Sequence, residues 1–294
     1  MKKWLRKLAR EFGADIYQIQ GSQREGRVSE EDVKSYIKES ISGKIEKKQT
    51  TPLQQYKHSE FGEIKVQSIS RLKKIAGPHL EKSWNEIPHV TQHDEADITE
   101  MEKFRKSLRD LYTGDKISIT PLAFIIRAVV KALKDYPNFN SSLDLKKEKI
   151  TYKKYFHVGI AVDTPHGLMV PKIRDADKKD ITELGKELKK VTKLCRELKI
   201  DKKEFFGGSI TISSLGSIGG SFFTPIINQP EVAILGIGRA ETKQVFTGDK
   251  YENRIMLPLS LSYDHRVIDG AEGARFCVHL KESLGKDFAY KLAV

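Results

Sequence analysis

The chain is poor in cysteine and has no long hydrophobic run, and each absence excludes a class of protein. Its 294 residues include only two cysteines, Cys195 and Cys277. Two distant cysteines supply neither a disulfide framework nor a CxxC metal site, and they favour a reducing compartment such as the cytoplasm. No apolar stretch approaches the ~20 residues that span a bilayer. Charges interrupt the basic start MKKWLRKLAREFG, so we expect no signal peptide and no membrane association.

Acidic residues are outnumbered, with 52 Lys and Arg against 40 Asp and Glu and a net charge of +12. Such a balance can indicate nucleic acid, a membrane surface or a polyanionic ligand. The lysines are mixed with acids, and the chain lacks a basic stripe interleaved with aromatic residues that would stack on bases. We therefore expect no nucleic-acid partner. A solvated surface accounts for the charge, with an acidic partner protein or a phosphate-bearing ligand as alternatives.

Composition divides the chain into residues 1–42, 43–62 and 63–294. In the first part, KKWLRKLAREFG and VSEEDVKSYIKESI have helical spacing and flank the glycine loop GSQREGR. The second segment opens like a capping box. Residues 43–62 are polar and rich in lysine and glutamine, as in a flexible linker.

The third part alternates helical and strand patterns, which predicts one α/β domain. Helices are predicted over 97–112, 120–136, 180–199 and 270–285, and strands over 155–164, 209–217, 231–240 and 254–264.

One histidine, His265, stands apart from the other seven. It follows a strand in LPLSLSYDHRVIDGAEGARF (257–276) and is flanked by charges. An exposed loop histidine is one interpretation. A metal pair with Asp269 would need a third ligand that no HxxE or cysteine cluster supplies, so no metal site is expected. A general base with a carboxylate four residues later, which fixes its loop, is the third interpretation.

A second segment, GGSITISSLGSIGG (207–220), places Ser213 and Ser214 at the end of a short strand. A serine hydroxyl there could donate a hydrogen bond to an oxyanion. A serine- and glycine-rich hairpin is the alternative. The segment lacks GxSxG, so a nucleophile elbow is not indicated.

The sequence HRVIDG (265–270), with SLSYD before it and AEGARF after it, resembles the active-site signature of dihydrolipoamide acyltransferases, the core subunits of 2-oxo acid dehydrogenase complexes. Other segments resemble the family in family order: IPHVTQHDEADITEMEKFRK, FNSSL, HVGIAVDTPHGLMVPKIRDAD, TISSLGSIGG and PIINQPEVAILGIG. Residues 1–42 resemble the peripheral-subunit-binding domain of the same proteins. The form VIDGAEGARF is more similar to the pyruvate-type acetyltransferase than to the succinyl type.

This resemblance implies a chloramphenicol-acetyltransferase-like mixed sheet with helices, preceded by a small α-helical domain. It implies trimers with active sites between subunits, and a cubic core of 24 subunits, although some relatives form 60-subunit shells. The implied reaction transfers an acetyl group from a dihydrolipoyl arm to coenzyme A. Nothing in the chain resembles a lipoyl domain, so we expect the lipoyl group on a domain outside it. Residues 1–42 would bind the pyruvate decarboxylase component and dihydrolipoamide dehydrogenase.

The resemblance also implies roles for particular residues. His265 would take the proton of the coenzyme A thiol, and Ser213 of a neighbouring subunit would hydrogen-bond the oxyanion. Asp269 would hold the histidine loop through an arginine, for which Arg71 is a candidate. Arg105 would contact a phosphate of coenzyme A.

Two arginines of the small domain, Arg10 and Arg27, would make salt bridges to the peripheral subunits. GSQREGR replaces the usual Gly-Thr-Gly, and His166 stands where relatives often carry asparagine. A succinyl or branched-chain acyltransferase, a Ser/His thioesterase with Ser213 as nucleophile, and a scaffold without activity remain alternatives.

Overall fold

The structure, a computed structural model, describes residues 19–23, 27–41, 57–109, 113–286 and 288–293. It divides into two compact units, residues 1–67 and 68–294. Among the described helices, none has the length and hydropathy that crossing a membrane requires.

The small unit contains helix α1 (Glu30–Ile41). A reciprocal capping box begins it, as the sequence predicts: Asp32 N donates to Ser29 Oγ (3.2 Å) and Ser29 N donates to the Asp32 carboxylate (2.7 Å). This backbone donor of Ser29, with others from Ser22, holds the pKa of Asp32 well below its usual range. Val33 and Ile19 are buried together in a small apolar cluster. The predicted helix over KKWLRKLAREFG lies outside the described residues.

The large unit contains the remaining elements. Its helices are α2 (Arg71–Glu86), α3 (Thr99–Ser107), α4 (Pro121–Asp135), α5 (Ile181–Arg196), α6 (Gly270–Leu284) and α7 (Phe288–Ala293). Its strands are β1 (His89–Asp97), β2 (Ser141–Asp144), β3 (Lys149–Tyr152), β4 (Val158–Ile160), β5 (Lys172–Ile173), β6 (Ile210–Ser214), β7 (Ala233–Ile237), β8 (Glu241–Phe246) and β9 (Tyr251–Asp264).

Seven of these strands form one mixed sheet in the order β1-β9-β7-β6-β4-β5, with β8 also paired to β9. Strand β6 runs parallel to β4 and β7, whereas the other pairs are antiparallel. Strands β2 and β3 form a separate antiparallel hairpin. A mixed sheet combined with helices confirms the predicted α/β class.

The two faces of this sheet differ because side chains alternate along each strand. One face is apolar and lies in the main core, with Ile210, Ile212, Leu235, Leu259 and Leu261 buried together with most of α4. The other face bears mainly glycine, serine and threonine on four neighbouring strands, with Ile234 between Thr211 and Ser262. We call it the small-residue face and define it by Gly159, Thr211, Ser213, Gly236, Ser260 and Ser262.

The helices predicted for the large unit are present, and their ends follow local hydrogen bonds. Asp180 and Glu183 form a capping box at α5, each carboxylate accepting from the other residue's backbone N–H (2.7 and 2.9 Å). Helix α3 ends earlier than predicted, because the carbonyl of Leu108 accepts from Ile117 N instead of from a following helical turn. The strand predicted over 155–164 shortens to β4.

Helix α2 and strand β1 are not predicted. Most of the apolar side chains of α2, including Ile75, Leu80 and Trp84, are exposed, and Pro78 lies inside it. Leu72, Ile75, Leu80 and Trp84 recur at helical spacing, but the dipeptide Gly77-Pro78 between them is typical of a turn.

Candidate active site

Strand β9 delivers His265 to the surface. The strand is buried from Leu257 to Asp264 and ends there, so His265 is the first exposed residue of the turn that follows. The backbone N of His265 donates to Pro88 O (3.2 Å), which fastens the turn to the residue before β1. The imidazole ring lies 6.1 Å from the Tyr263 ring, at an interplanar angle of 30°.

The charges that surround the histidine hold the turn itself. Asp264, which is 2% exposed, accepts from Arg266 through the backbone N (3.0 Å), Nε (2.8 Å) and Nη2 (2.7 Å). The hydrogen bond to this carboxylate raises the pKa of Arg266, so the guanidinium stays charged throughout the physiological range. The turn is therefore closed on both sides of His265 by one short-range ion pair.

Asp269 begins the next helix. Its Oδ1 accepts from Glu272 N (2.8 Å), which makes it the N-cap of α6. Arg71 lies exposed in the first turn of α2 and forms no ion pair with Asp269 within the chain, although both residues are described. The predicted bond between Asp269 and an arginine, for which Arg71 is the candidate, stays a prediction.

Ser213 lies near the end of β6 on the small-residue face. It is half-buried, and none of the residues that the structure describes engages its hydroxyl. Ser214 follows it and therefore points to the opposite face. Only Ser213 is thus presented beside Gly236, its partner on β7.

An aromatic ring, that of Phe223, lies over the β7 partner of Ser213. The Phe223 ring occupies the space above Gly236, where an added Cβ would lie 2.8 Å from a ring carbon. Ser260, across from Gly236 on β9, accepts from Phe223 N (3.3 Å) and is hydrogen-bonded to His93 Nδ1 (3.0 Å). The hydroxyl of Ser213 therefore faces a surface that is lined by fixed polar and aromatic groups.

One chain does not bring Ser213 and His265 together. Ser213 shares a row of paired residues with Gly236 and Ser260, and His265 follows Ser260 by five residues along β9. At ~3.3 Å per residue, this separation is about 16 Å along the strand alone. A site that uses both groups must combine them from two protomers.

Arg105 uses its guanidinium within the chain. It donates to both carboxylate oxygens of Glu102 (2.8 and 2.9 Å) and to Ile119 O (2.8 Å). The hydrogen bond to Glu102 raises the pKa of Arg105. These contacts tie α3 to the segment before α4, and the predicted contact to a coenzyme A phosphate stays a prediction.

The other predicted residues lie apart from these groups. Arg10 is outside the described residues, and Arg27 is exposed in a bridge with Gln23. His166 lies in an exposed turn, where its backbone N donates to Thr164 Oγ1 (3.2 Å). The described part of the chain contains no cluster of three metal-ligating side chains.

Neither cysteine is arranged as a nucleophile. Cys195 and Cys277 are free and buried. Burial raises the pKa of the Cys277 thiol to about 12, which leaves almost no thiolate at neutral pH.

Sequence reasoning missed a buried ion pair at the β5 end of the small-residue face. Lys172 Nζ and Glu231 Oε1 are 2.5 Å apart, and both side chains are 1% exposed. Thr211 Oγ1 donates to Glu231 Oε2 (2.6 Å). The only signal in the sequence is that each charge stands beside an apolar run, in MVPKI and in PEVAIL.

Comparison with protein families gives two matches. Residues 61–289 match the catalytic domain of the 2-oxoacid dehydrogenases acyltransferase family, and residues 5–34 match an E3-binding domain.

Two curated relatives cover nearly all of the chain. The dihydrolipoyllysine-residue acetyltransferase component of the pyruvate dehydrogenase complex of Cupriavidus necator is 45% identical over 95% of the chain, and that of Haemophilus influenzae is 44% identical over 94%. The chain spans about half of their lengths, 53% and 52%.

Two solved structures are also similar. The cubic core of the pyruvate dehydrogenase multienzyme complex is 42% identical with a TM-score of 0.78. The dihydrolipoamide acetyltransferase of Azotobacter vinelandii, solved to examine a serine, a histidine and an asparagine in its catalytic mechanism, is 42% identical with a TM-score of 0.79. Each match covers 83% of this chain and 100% of the other.

Proposed function

Because the chain belongs to the 2-oxoacid dehydrogenase acyltransferase family, we propose that it transfers an acetyl group from a dihydrolipoyl arm to coenzyme A within a pyruvate dehydrogenase complex. The curated relatives at 45% and 44% identity are acetyltransferase components of that complex. This chain spans 53% and 52% of those relatives, and we propose that the dihydrolipoyl arm is carried by a domain outside these 294 residues.

One observation carries the assignment of residues. The serine and histidine examined in the Azotobacter vinelandii enzyme are 52 residues apart, and the asparagine follows the histidine by four. In this chain Ser213 and His265 are also 52 residues apart, and Asp269 follows His265 by four. Ser214 does not have this spacing to His265, so the spacing favours Ser213 as the oxyanion donor.

The reaction then uses His265 as general base and Ser213 as hydrogen-bond donor. His265 takes the proton of the coenzyme A thiol, whose pKa is ordinarily about 8.5, and the thiolate attacks the carbonyl of acetyl-dihydrolipoamide. Ser213 Oγ donates to the oxyanion of the tetrahedral intermediate. Collapse expels the dihydrolipoyl sulfur, which regains a proton from His265. A general base contributes ~10²–10⁴-fold and one oxyanion donor ~10²–10³-fold.

Each active site combines two protomers in this proposal. The separation of Ser213 and His265 by about 16 Å along β9 supports it, because neither group can serve the other in its own chain. The same separation argues against a thioesterase in which Ser213 and His265 of one chain act as nucleophile and base. The match to the cubic core supports assembly into trimers and then 24 subunits.

The small unit supplies the docking function. The E3-binding match over residues 5–34 supports binding of dihydrolipoamide dehydrogenase, with the pyruvate decarboxylase component as the second partner. We also propose a cytoplasmic location, which two free cysteines fit because a reducing compartment keeps thiols unpaired. Succinyl and branched-chain substrates remain alternatives to acetyl.

The test of this function is His265→Ala in the full chain. We expect it to abolish acetyl transfer between coenzyme A and free dihydrolipoamide, while particle size by light scattering stays that of the wild type. His58→Ala, in the small unit, is the matched control and should transfer at the wild-type rate. An unchanged rate in His265→Ala would remove the general-base assignment.

A further inference from the structure

The buried ion pair between Lys172 and Glu231 is a poor device for stability alone. Both charges lie out of water, with side chains 1% exposed. Taking two charges out of water is so unfavourable that replacing a buried pair with apolar residues is often neutral or stabilising. The presence of the pair at the β5 end of the small-residue face therefore calls for another role.

The surrounding backbone leaves room for the pair. A Cβ at Gly159 would lie 2.6 Å from Lys172 Nζ, and one at Gly208 would lie 2.0 Å from Glu231 Oε1. A side chain at Gly159 or Gly208 would therefore displace the end of Lys172 or of Glu231. A glycine in β4 and a glycine just before β6 thus make room for the two charged groups.

One arm of the pair reaches the strand of Ser213. Glu231 Oε2 accepts from Thr211 Oγ1 (2.6 Å), and Lys172 Nζ donates to the same hydroxyl (3.4 Å). Thr211 precedes Ser213 by two residues and points to the same face of β6. The ion pair therefore holds β6 at Thr211, the residue next to Ser213 on the same face of the strand.

The other arm reaches the turn of His265. Glu231 is followed by Val232, whose carbonyl accepts from Asp264 N (2.8 Å). Asp264 is the residue that closes the turn through Arg266 and immediately precedes His265. Glu231 is thus linked, through the backbone of its neighbour and one hydrogen bond, to the end of β9.

A further contact holds Glu231 from the side of α2. Asn228 Nδ2 donates to Glu231 Oε1 (3.3 Å), and Asn228 Oδ1 is hydrogen-bonded to His79 Nε2 (3.1 Å). Glu231 is therefore held by Lys172, Thr211 and Asn228 together, which leaves its carboxylate little freedom.

We propose that Lys172 and Glu231 are positioning residues for acyl transfer, which set β6 for Ser213 and the end of β9 for His265. The inference rests on the proposed function, because Ser213 and His265 have their roles only there. It adds that each protomer fixes, through one buried ion pair, the groups that it gives to two different active sites.

The experiment replaces both charges at once in the full chain, as Lys172→Met with Glu231→Leu. We expect the thermal midpoint and particle size to stay near those of the wild type, since a neutral pair of similar volume replaces the ion pair. We expect kcat for acetyl transfer to fall at least tenfold, with KM for coenzyme A and dihydrolipoamide changed less than twofold. A structural role alone would not separate kcat from stability in this way.

A gentler pair of variants covers the case in which the double variant fails to fold. Thr211→Val removes the hydroxyl at constant shape and should lower kcat about fivefold, whereas Thr211→Ser keeps the hydroxyl and should restore most of it. Lys179→Met with Glu187→Leu, which removes a half-buried Lys–Glu pair at α5, is the matched control and should leave kcat unchanged.

The outcomes separate the two proposals. A folded double variant with wild-type kcat, or equal kcat in Thr211→Val and Thr211→Ser, overturns the positioning role while the acyltransferase function stands. A wild-type chain that forms no acetyl-dihydrolipoamide from acetyl-coenzyme A and dihydrolipoamide overturns the function itself.

Discussion

Asp269 has one role that follows from the resemblance and another that follows from the structure, and a set of three substitutions distinguishes them. By resemblance its carboxylate holds the His265 loop through an arginine. In the structure its Oδ1 accepts from Glu272 N (2.8 Å) and caps α6. Asparagine caps a helix as well as aspartate does but carries no charge, whereas alanine lacks both the cap and the charge. Asp269→Asn, Asp269→Ser and Asp269→Ala therefore separate the cap from the charge.

The magnitude follows from the cap. Loss of an aspartate N-cap costs about 1 kcal/mol, which lowers the melting temperature of a unit this size by about 2–4 °C. If all of that free energy is lost in the transition state, kcat falls about fivefold, because 1.36 kcal/mol corresponds to tenfold. We expect this of Asp269→Ala, and we expect Asp269→Asn and Asp269→Ser to stay within twofold of the wild type.

The assay is acetyl transfer between acetyl-coenzyme A and free dihydrolipoamide, with thermal unfolding measured on the same samples. The asparagine at the equivalent spacing in the Azotobacter vinelandii enzyme agrees with the expectation for Asp269→Asn. A loss of more than tenfold in Asp269→Asn at an unchanged melting temperature would refute the capping argument. The negative charge of Asp269, paired with an arginine of a neighbouring protomer, would then be what holds the His265 loop.

Two further predictions concern the serines and a buried lysine. Ser213→Ala should lower kcat by ~10²–10³-fold, and Ser214→Ala by less than threefold, because only Ser213 lies on the small-residue face; similar losses in both would contradict the assignment. Burial lowers the pKa of Lys153 from 10.5 to about 8. Between these pH values the unfolded chain binds a proton that the folded chain has released, so the contribution of Lys153 to stability rises with pH, by about 1.4 kcal/mol per pH unit near pH 9. The raised pKa of Cys277 lowers stability with rising pH in both proteins, so the test is the difference between them. Urea unfolding at pH 8, 9 and 10 should show the wild type gaining stability relative to Lys153→Met, and parallel pH dependences would count against it.

Local chemistry explains why much of the fold is predictable. The capping box at Ser29 is a signal that acts within one turn of helix, and the structure bears out this helix start. The predicted helices over 120–136 and 180–199 also begin locally, with Pro121 in the first turn of α4 and a capping box at Asp180. Strand β9 is predictable because a long apolar run ends abruptly in charges. Helix α2 is missed although its apolar residues recur at helical spacing, because Gly77-Pro78 in its middle is typical of a turn.

The aspartates of the His265 turn show where sequence reasoning reaches its end. The pattern DHRVID indicates a purposeful turn, but three acidic and basic residues can pair in several ways. The fold decides that Arg266 binds Asp264, which is buried at the end of β9, and leaves Asp269 to cap α6. Which charge meets which depends on burial and direction, and neither is encoded within six residues.

The sequence alone determined the α/β class, the positions of His265 and Ser213 and the family resemblance, because each depends on residue types at short spacings. Only the tertiary structure decided that Ser213 and Ser214 face opposite ways with Ser213 beside Phe223, and that Lys172 meets Glu231 across 59 residues. Such contacts join strands that are distant in the chain, and a charge in an apolar run reads as a surface residue until its partner is seen. The same pairing of strands keeps Ser213 and His265 of one chain apart, which makes a second protomer part of the proposed reaction.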